Sequence, residues 1–318
     1  MRYEKKLLII GPLPENHGIG GVTIHTQRLL DYLDYCGFEY EFVDYGKVSI
    51  LVLFAKIWKT TAVHFHISNP VFLFSLVIFS RIMGKDVIMT LHGNYGRFSS
   101  VKNFLVRLTV EYATIPIIIN QHSYDICKHF NKRTVLIPAF IPPQKAETLQ
   151  PEIITLVNNY REDGRKIVST NAYNISYDKQ GQEIYGIDFL VRFFTEDKDY
   201  VLIVSDPSGN YKKQYPKPIE GVEFINYPHP YFEVLKFTDY FVRNTSTDGD
   251  ALSVKEALYL KIPTLCSDAV DRPEGVNLFH YSDEESFRQC LQSASVTANK
   301  IENGAERILE LYKEIIIK

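Results

Sequence analysis

The chain alternates short β-branched or apolar runs with helical segments, and it does so in two rounds separated by a proline-rich break. Such alternation implies parallel strands, because each crossover helix returns the chain to the same end of the sheet. In the first round the strands read as 6–11, 39–44, 62–67, 87–92, 114–120 and 135–139, with helices over 23–36, 50–59, 70–83, 101–113 and 123–130. Pro138, Pro142, Pro143 and Pro151 then fall in a polar stretch, PAFIPPQKAETLQPE, that reads as an inter-domain linker. In the second round strands are expected at 166–170, 200–205, 222–226, 240–243, 264–267 and near 277–280, and helices at 253–260, 284–293 and 301–316. With 318 residues, about twice a typical single-domain length, the expected organisation is an α/β protein of two Rossmann-like domains facing each other across a cleft. The first would span 1–145 and the second 146–300. A last helix in 301–318 would pack back toward the first.

Several function classes lose support from the same reading. The apolar run after the basic start is only Leu7 to Ile10, shorter than a signal h-region, and Val71 to Ile82 is too short to span a bilayer. Cys36, Cys127, Cys266 and Cys290 lie far apart without metal-type spacing, which fits reduced structural thiols in a cytoplasmic protein. No basic run or known module points to nucleic acid, and the pI of about 6.3 is below the range such proteins favour. Charge is nevertheless uneven. Residues 1–145 carry 16 Lys+Arg and 10 Asp+Glu, whereas residues 146–318 carry 19 and 28. Such asymmetry can draw anionic partners to the first half, or reflect chance surface charge.

In doubly wound sheets, ligands bind beyond the carboxyl ends of the strands, so the informative loops are those that follow strands. The first is GPLPENHGIGG, Gly11 to Gly21. Gly20 and Gly21 would let a ligand approach the backbone at the following helix start, or would simply serve a turn. The G-x-G-x-x-G spacing of a dinucleotide loop is absent, and although Asp44 ends the second strand, an NAD site is disfavoured. His92, in Thr90-Leu91-His92-Gly93, ends the fourth strand and is placed to hydrogen-bond a phosphate or sugar. His64 and His66 share one face of the third strand and read mainly as buried, hydrogen-bonded residues.

The strongest signal is RNTSTDGDALSVKE, Arg243 to Glu256, where a strand passes through a polar loop into a helix. Asp248 lies in the loop and Glu256 eight residues on, about a turn inside the helix. Two carboxylates so placed can accept hydrogen bonds from hydroxyls of one extended ligand, and the helix N-terminus between them suits a diphosphate. The alternative is a capping Asp248 and a solvated or paired Glu256. Asp248-Gly249-Asp250 also spells the D-x-D of metal-dependent transferases, but the second strand–helix half favours a metal-free site.

The block Asp248-Gly249-Asp250-Ala251-Leu252-Ser253-Val254-Lys255-Glu256-Ala257 resembles the acidic-x7-Glu signature of family 4 glycosyltransferases. Pro263, Ser267-Asp268 and Arg272-Pro273-Glu274-Gly275-Val276 downstream are also similar, as are Gly20-Gly21 and Thr90-Leu91-His92-Gly93 upstream. The resemblance covers nearly the whole chain in order. It implies a GT-B fold, a nucleotide-diphosphate sugar donor such as a UDP- or GDP-sugar, retention of anomeric configuration and no metal or other cofactor. It implies that Glu256 binds the ribose hydroxyls, that Asp248 contacts the donor sugar, and that Gly249, Asp250 and the amides of Ala251, Leu252, Ser253 and Val254 hold the diphosphate. It places His92 near the reacting carbon and Gly21 against the donor.

Two departures from that pattern stand out. The proximal acid is Asp rather than Glu. The family's diphosphate-neutralising Arg and Lys are also missing after the first strand of the second domain, where this chain reads Asn171-Ala172-Tyr173, a loop with Lys179, then Tyr185-Gly186. Arg243, Lys179 or Arg272 would have to supply the charge, with Arg243 first. The expected activity is hexosyl transfer to a glycan or lipid-linked acceptor in cell-surface polysaccharide assembly. The greasy helix at 71–83 with Arg81, Lys85, Lys102 and Arg107 nearby admits a peripheral contact at the inner face of the membrane. The alternatives are a non-catalytic donor-binding or scaffold subunit, and a sugar-nucleotide epimerase of the same fold.

Overall fold

The computed structural model describes residues 6–18, 20–178, 181–248, 251–296 and 301–317. Lys179, Gly249 and Asp250, three of the sequence-predicted site residues, lie outside them. The chain divides into two compact units, Met1–Lys145 with Glu302–Lys318, and Ala146–Ile301.

Among the described residues, the first unit is built on β1 (Leu7–Gly11), β2 (Glu41–Asp44), β3 (Ala62–Phe65), β4 (Asp86–Leu91), β5 (Ile115–Ile118) and β6 (Val135–Leu136), all parallel, in the spatial order β2-β1-β3-β4-β5-β6. Alternate residues of β1 serve opposite faces, as the two-residue period of a strand requires. Leu8 and Ile10 join a core with Leu53, Leu73, Leu76 and Val106 from the helices Ile50–Lys59, Pro70–Ile82 and Ser100–Tyr112. Leu7 and Ile9 pack on the other face with Leu29 and Leu33 of Gly21–Tyr35 and Ile308 and Tyr312 of Gly304–Ile317.

The second unit holds β7 (Lys166–Asn171), β8 (Tyr200–Ser205), β9 (Val222–Ile225), β10 (Tyr240–Arg243), β11 (Thr264–Ser267) and β12 (Asn277–Phe279), parallel again, in the order β12-β11-β10-β7-β8-β9. Leu202 and Val204 face one core, Val201 and Ile203 the other.

Short polar side chains set many helix starts. Ser49 accepts from the Val52 amide, Asn69 from those of Val71 and Phe72 with Pro70 as the first helical residue, Asn120 from Ser123, and Asp283 from Ser286. Proline explains the main departure from the expected layout. Pro151 does not close a linker but opens the helix Pro151–Glu162, where its missing N–H costs nothing. The greasy segment at 71–83 is an ordinary covering helix, with Leu73, Leu76 and Val77 buried; only its ends, Val71 and Ile82, bear large exposed apolar groups. No described helix is long and apolar enough to cross a membrane.

Each sheet has one point where consecutive strands depart to opposite sides, and loops leaving such a point splay apart into a crevice. It lies between β1 and β3 in the first sheet and between β7 and β10 in the second. Gly186, just beyond the loop after β7, has φ of 56°, and a Cβ there would come within 2.2 Å of Asn244 Nδ2 and 2.8 Å of the Asn244 carbonyl. Gly186→Ala is expected to cost about 2 kcal/mol and to lower the melting temperature of the second unit by several degrees, read by thermal unfolding.

Candidate functional site

The β7/β10 switch point carries a buried ionic cluster. Arg243 ends β10 and directs its guanidinium sideways toward the end of β7. Its Nη1 donates to the carbonyl of Asn171 at 2.8 Å and to Asn171 Oδ1 at 3.2 Å, and its Nε donates to Asp248 Oδ2 at 2.9 Å. Arg272 approaches the same carboxylate from the loop after β11. Its Nη1 lies 3.3 Å from Asp248 Oδ2, while its Nη2 donates to Thr245 Oγ1 at 2.7 Å and Ser267 Oγ at 3.1 Å. The side chains of Arg243, Arg272 and Asp248 are 10%, 3% and 11% exposed, so these charges are largely desolvated.

Burial alone would raise the Asp248 carboxyl. The Arg243 charge and hydrogen bond, followed by those of Arg272, outweigh it and hold the pKa below the ordinary carboxylate range. Burial likewise disfavours the Arg243 cation, but Asp248 more than restores it. Arg243 and Asp248 are therefore both charged at neutral pH, and among the described residues of this cluster two guanidiniums face one carboxylate.

The walls of this point are tied together. The Ser246 amide donates to the Ile184 carbonyl at 2.9 Å, and Thr245 and Ser267 exchange hydrogen bonds, amide to hydroxyl at 3.0 Å and hydroxyl to carbonyl at 2.7 Å. Tyr185, which stands where the resemblance leads one to expect a lysine, lies under the Arg243 guanidinium, 5.0 Å from Cζ to ring centroid. The cation thus reaches over the aromatic ring from the neighbouring strand.

The helix Leu252–Tyr259 starts next to this cluster in sequence. Ala251 takes the N-cap position with extended backbone and makes no side-chain capping bond. Leu252 opens the helix, Ser253 and Val254 are buried in its first turn, and Glu256 is buried in its middle. Burial raises the Tyr231 phenol, and the nearby Glu256 carboxylate adds to the rise; the Tyr231 hydroxyl in turn lies 3.0 Å from Ser169 Oγ on β7. Arg243, Asn171 and Asp248 therefore gather about one switch point.

The first unit has a different arrangement at its own switch point. Gly20, with extended backbone, precedes the helix Gly21–Tyr35, and its amide donates to Thr23 Oγ1 at 2.9 Å. A Cβ on Gly21 would meet no described atom within 4 Å, so protein packing does not explain that glycine. Gly11 differs: a Cβ there would come within 3.0 Å of His66 and Thr26, so this glycine lets the helix lie close to β1. Asp44 is occupied locally, accepting from Asn16 Nδ2 at 2.7 Å and the Gly46 amide at 2.9 Å, with His17 Nε2 at 2.8 Å.

His92, beyond β4, is buried, and its Nε2 stands 3.1 Å from Nδ1 of His66, which follows β3. His25, from the second turn of Gly21–Tyr35, packs edge-on against His92 at 5.0 Å. Burial holds the imidazoles of His25, His66 and His92 below their usual pKa, His25 at about 4. His64, one step down β3, is engaged by Tyr312 Oη at 2.5 Å and Thr90 Oγ1 at 2.8 Å. Sequence reasoning passed over His25. The available signal was three histidines on the elements that follow β1, β3 and β4, which are neighbours in the sheet.

No protein-family model matches the chain, and no curated protein matches it either. Solved structures do. HepE from Anabaena in complex with UDP is similar at a TM-score of 0.64 and 12% identity, over 98% of this chain and 95% of that one. A glycosyltransferase from Rickettsia africae is similar at 0.68 and 12%, over 99% of both. UDP-GlcNAc 2-epimerase from Methanocaldococcus jannaschii is similar at 0.60 and 12%, over 98% and 99%. The likeness spans both units, and the architecture is the GT-B fold, shared by transferases and epimerases.

A pH test follows from the lowered pKa of Asp248. A carboxyl whose folded pKa is depressed adds stability above its unfolded pKa, about 3.9, and loses it as pH falls through the folded value. Asp248→Asn should therefore be less stable than the parent at pH 7, by about 3 kcal/mol. That gap should narrow as pH falls below 4, measured by denaturant unfolding along a pH series.

Proposed function

We propose that the chain is a retaining glycosyltransferase of the family 4 type, moving a hexosyl group from a nucleoside-diphosphate sugar to a glycan or lipid-linked acceptor in polysaccharide assembly. The observation that carries this reading is the Arg243–Asp248–Arg272 cluster at the β7/β10 switch point, in which two guanidiniums face one carboxylate among the described residues, followed in sequence by a helix start with no side-chain cap. Such a site suits a diphosphate, whose charge grows as the leaving group departs, and it supplies that stabilisation with arginines and backbone amides. The GT-B fold and neighbours crystallised with UDP and UDP-glucose agree with it.

In this reading the acceptor hydroxyl oxygen bonds to the anomeric carbon as the bond from that carbon to the diphosphate oxygen breaks. The nucleoside diphosphate leaves with the bonding pair, and a leaving phosphate oxygen takes the hydroxyl proton on the same face. Glu256 receives the ribose hydroxyls, Asp248 orients both arginines beside the donor sugar, and Arg243 stands in for the lysine replaced by Tyr185. Gly249 and Asp250, with the amides of Ala251 to Val254, hold the diphosphate, and Asn171 and Lys179 bind the donor. In the first unit, Gly20 and Gly21 leave room for the donor, and the His92 segment meets the reacting sugar and acceptor. No metal is called for in this transfer.

Glu256→Gln should weaken nucleotide-sugar binding about tenfold or more, and Arg243→Met should weaken a nucleoside diphosphate by about 10- to 100-fold while sparing the nucleoside, both by calorimetry. Unchanged donor affinity in Glu256→Gln would overturn the ribose assignment. An epimerised donor in product analysis without any acceptor would instead make the chain an epimerase. Absence of thermal stabilisation by any UDP- or GDP-sugar would favour a scaffold subunit.

A peripheral membrane contact at the cytoplasmic face belongs to the same proposal. The exposed apolar side chains that support it concentrate on Ile50–Lys59, where Leu51 and Trp58 lie beside Lys56 and Lys59. Co-sedimentation with anionic vesicles at low salt, reduced by Leu51→Ser with Trp58→Ser, is the expected result. Recovery of the parent protein wholly in the supernatant would refute it.

A further inference from the structure

The three buried histidines at the edge of the first sheet have chemistry that sugar transfer leaves unused. One nitrogen from each of His25, His66 and His92 lies within 4.8 Å of the others. Nε2 of His25 and Nε2 of His66 are buried and have no hydrogen-bond partner among the described residues. A buried polar atom left without a partner is destabilising, so the unpartnered Nε2 of His25, within this cluster, is not expected without a compensating use.

The tautomer of His25 follows from its partner. Nδ1 lies 2.8 Å from the Ala139 carbonyl oxygen, which can only accept, so Nδ1 carries the proton and Nε2 presents a lone pair. An imidazole whose far nitrogen donates to a backbone carbonyl is the arrangement that orients a histidine toward a metal. His66 Nδ1 and His92 Nε2 are hydrogen-bonded to each other at 3.1 Å; an ion binding here would take the place of the shared proton, at a spacing near the roughly 3.3 Å between nitrogens of a tetrahedral zinc ion bonded at about 2.0–2.1 Å. One nitrogen of His25 lies within 4.8 Å of the other two and would close up on metal binding.

The surroundings hold these rings in place. His64 braces His66 from below, with ring centroids 4.1 Å apart, and is itself fixed by Tyr312 and Thr90. The absence of a Cβ at Gly11 lets the His25 helix pass close to β1. Three neutral imidazoles without a carboxylate or thiolate favour a nitrogen-preferring divalent transition ion over magnesium or calcium.

We infer that His25, His66 and His92 form a binding site for one divalent transition-metal ion of the zinc class. With three protein ligands, the ion's fourth position falls to water or another oxygen ligand. The site lies wholly within the first unit and does not depend on the proposed transfer. Because His92 also has a proposed role there, occupancy is to be measured by binding and not by turnover.

The test uses tag-free, chelator-treated full-length chain carrying Cys36→Ser, which removes the exposed thiol. Zinc titration by calorimetry and elemental analysis should give one ion per chain. Cobalt(II) substitution should give the visible absorption of a tetrahedral nitrogen-rich site. His25→Gln and His92→Asn, checked for fold by circular dichroism, should each weaken zinc by at least about 100-fold, since losing a ligand costs no less than losing its outer partner. His280→Asn, altering a surface histidine, should leave binding unchanged. If His92→Asn fails to fold, His25→Gln carries the test, because its amide can still donate to Ala139. Zinc binding no tighter than millimolar, or tight binding that survives His25→Gln, would overturn the inference.

Discussion

Two guanidiniums share one carboxylate in the interior of the second unit, and the local architecture is arranged around that fact. Removing Arg243, Asp248 and Arg272 from water is costly, and a single broken partner would strand an uncompensated charge. The ends of β7 and β11 and the loop after β10 accordingly supply further acceptors: the Asn171 carbonyl and Oδ1, the Thr245 and Ser267 hydroxyls and the Ser267 carbonyl. The same bonds that satisfy the arginines pin the crevice open at the sheet's switch point. Electrostatics and shape are here one constraint, because a loop that moved would also unpair a buried cation.

The first unit solves the equivalent problem with neutral groups. Its switch point is lined by imidazoles rather than ion pairs, and burial keeps them uncharged. The two sheets share a layout but present different chemistry: paired charges in one, lone-pair donors in the other. That division runs against the charge balance of the halves, since the excess of Lys+Arg lies in residues 1–145 while the paired arginines lie in the second unit.

The fold was legible because parallel strands buried on both faces leave a strong sequence trace. Runs such as Tyr200–Ser205 and Thr264–Ser267 stand where the β-branched and apolar pattern puts them. Short helices were harder. Tyr231–Leu235 is too brief to establish a period, and Ile187–Phe194 spans only eight residues, with Asp188 and Arg192 alone marking its polar face. In the site, Asp248 and Glu256 could be found because they sit close in sequence on one loop–helix unit. Arg272 and Tyr185 were harder to place, since their contacts with Asp248 and Arg243 close over 24 and 58 positions. His25 was invisible for the same reason: nothing local to a helix tells which strand edge it will cross.

The closing helix has a consequence for how the molecule is made. Gly304 sits where a Cβ would come within 2.1 Å of the Pro138 carbonyl oxygen, and Ala305, Ile308, Leu309 and Tyr312 complete a core that also holds Leu7, Ile9 and Leu33. On the ribosome, the amino-terminal sheet therefore emerges first yet lacks part of one face until the last helix arrives. The middle of the chain, Ala146–Ile301, is contiguous in sequence and forms one compact unit. During synthesis Leu7 and Ile9 therefore stay incompletely covered until Gly304–Ile317 has emerged.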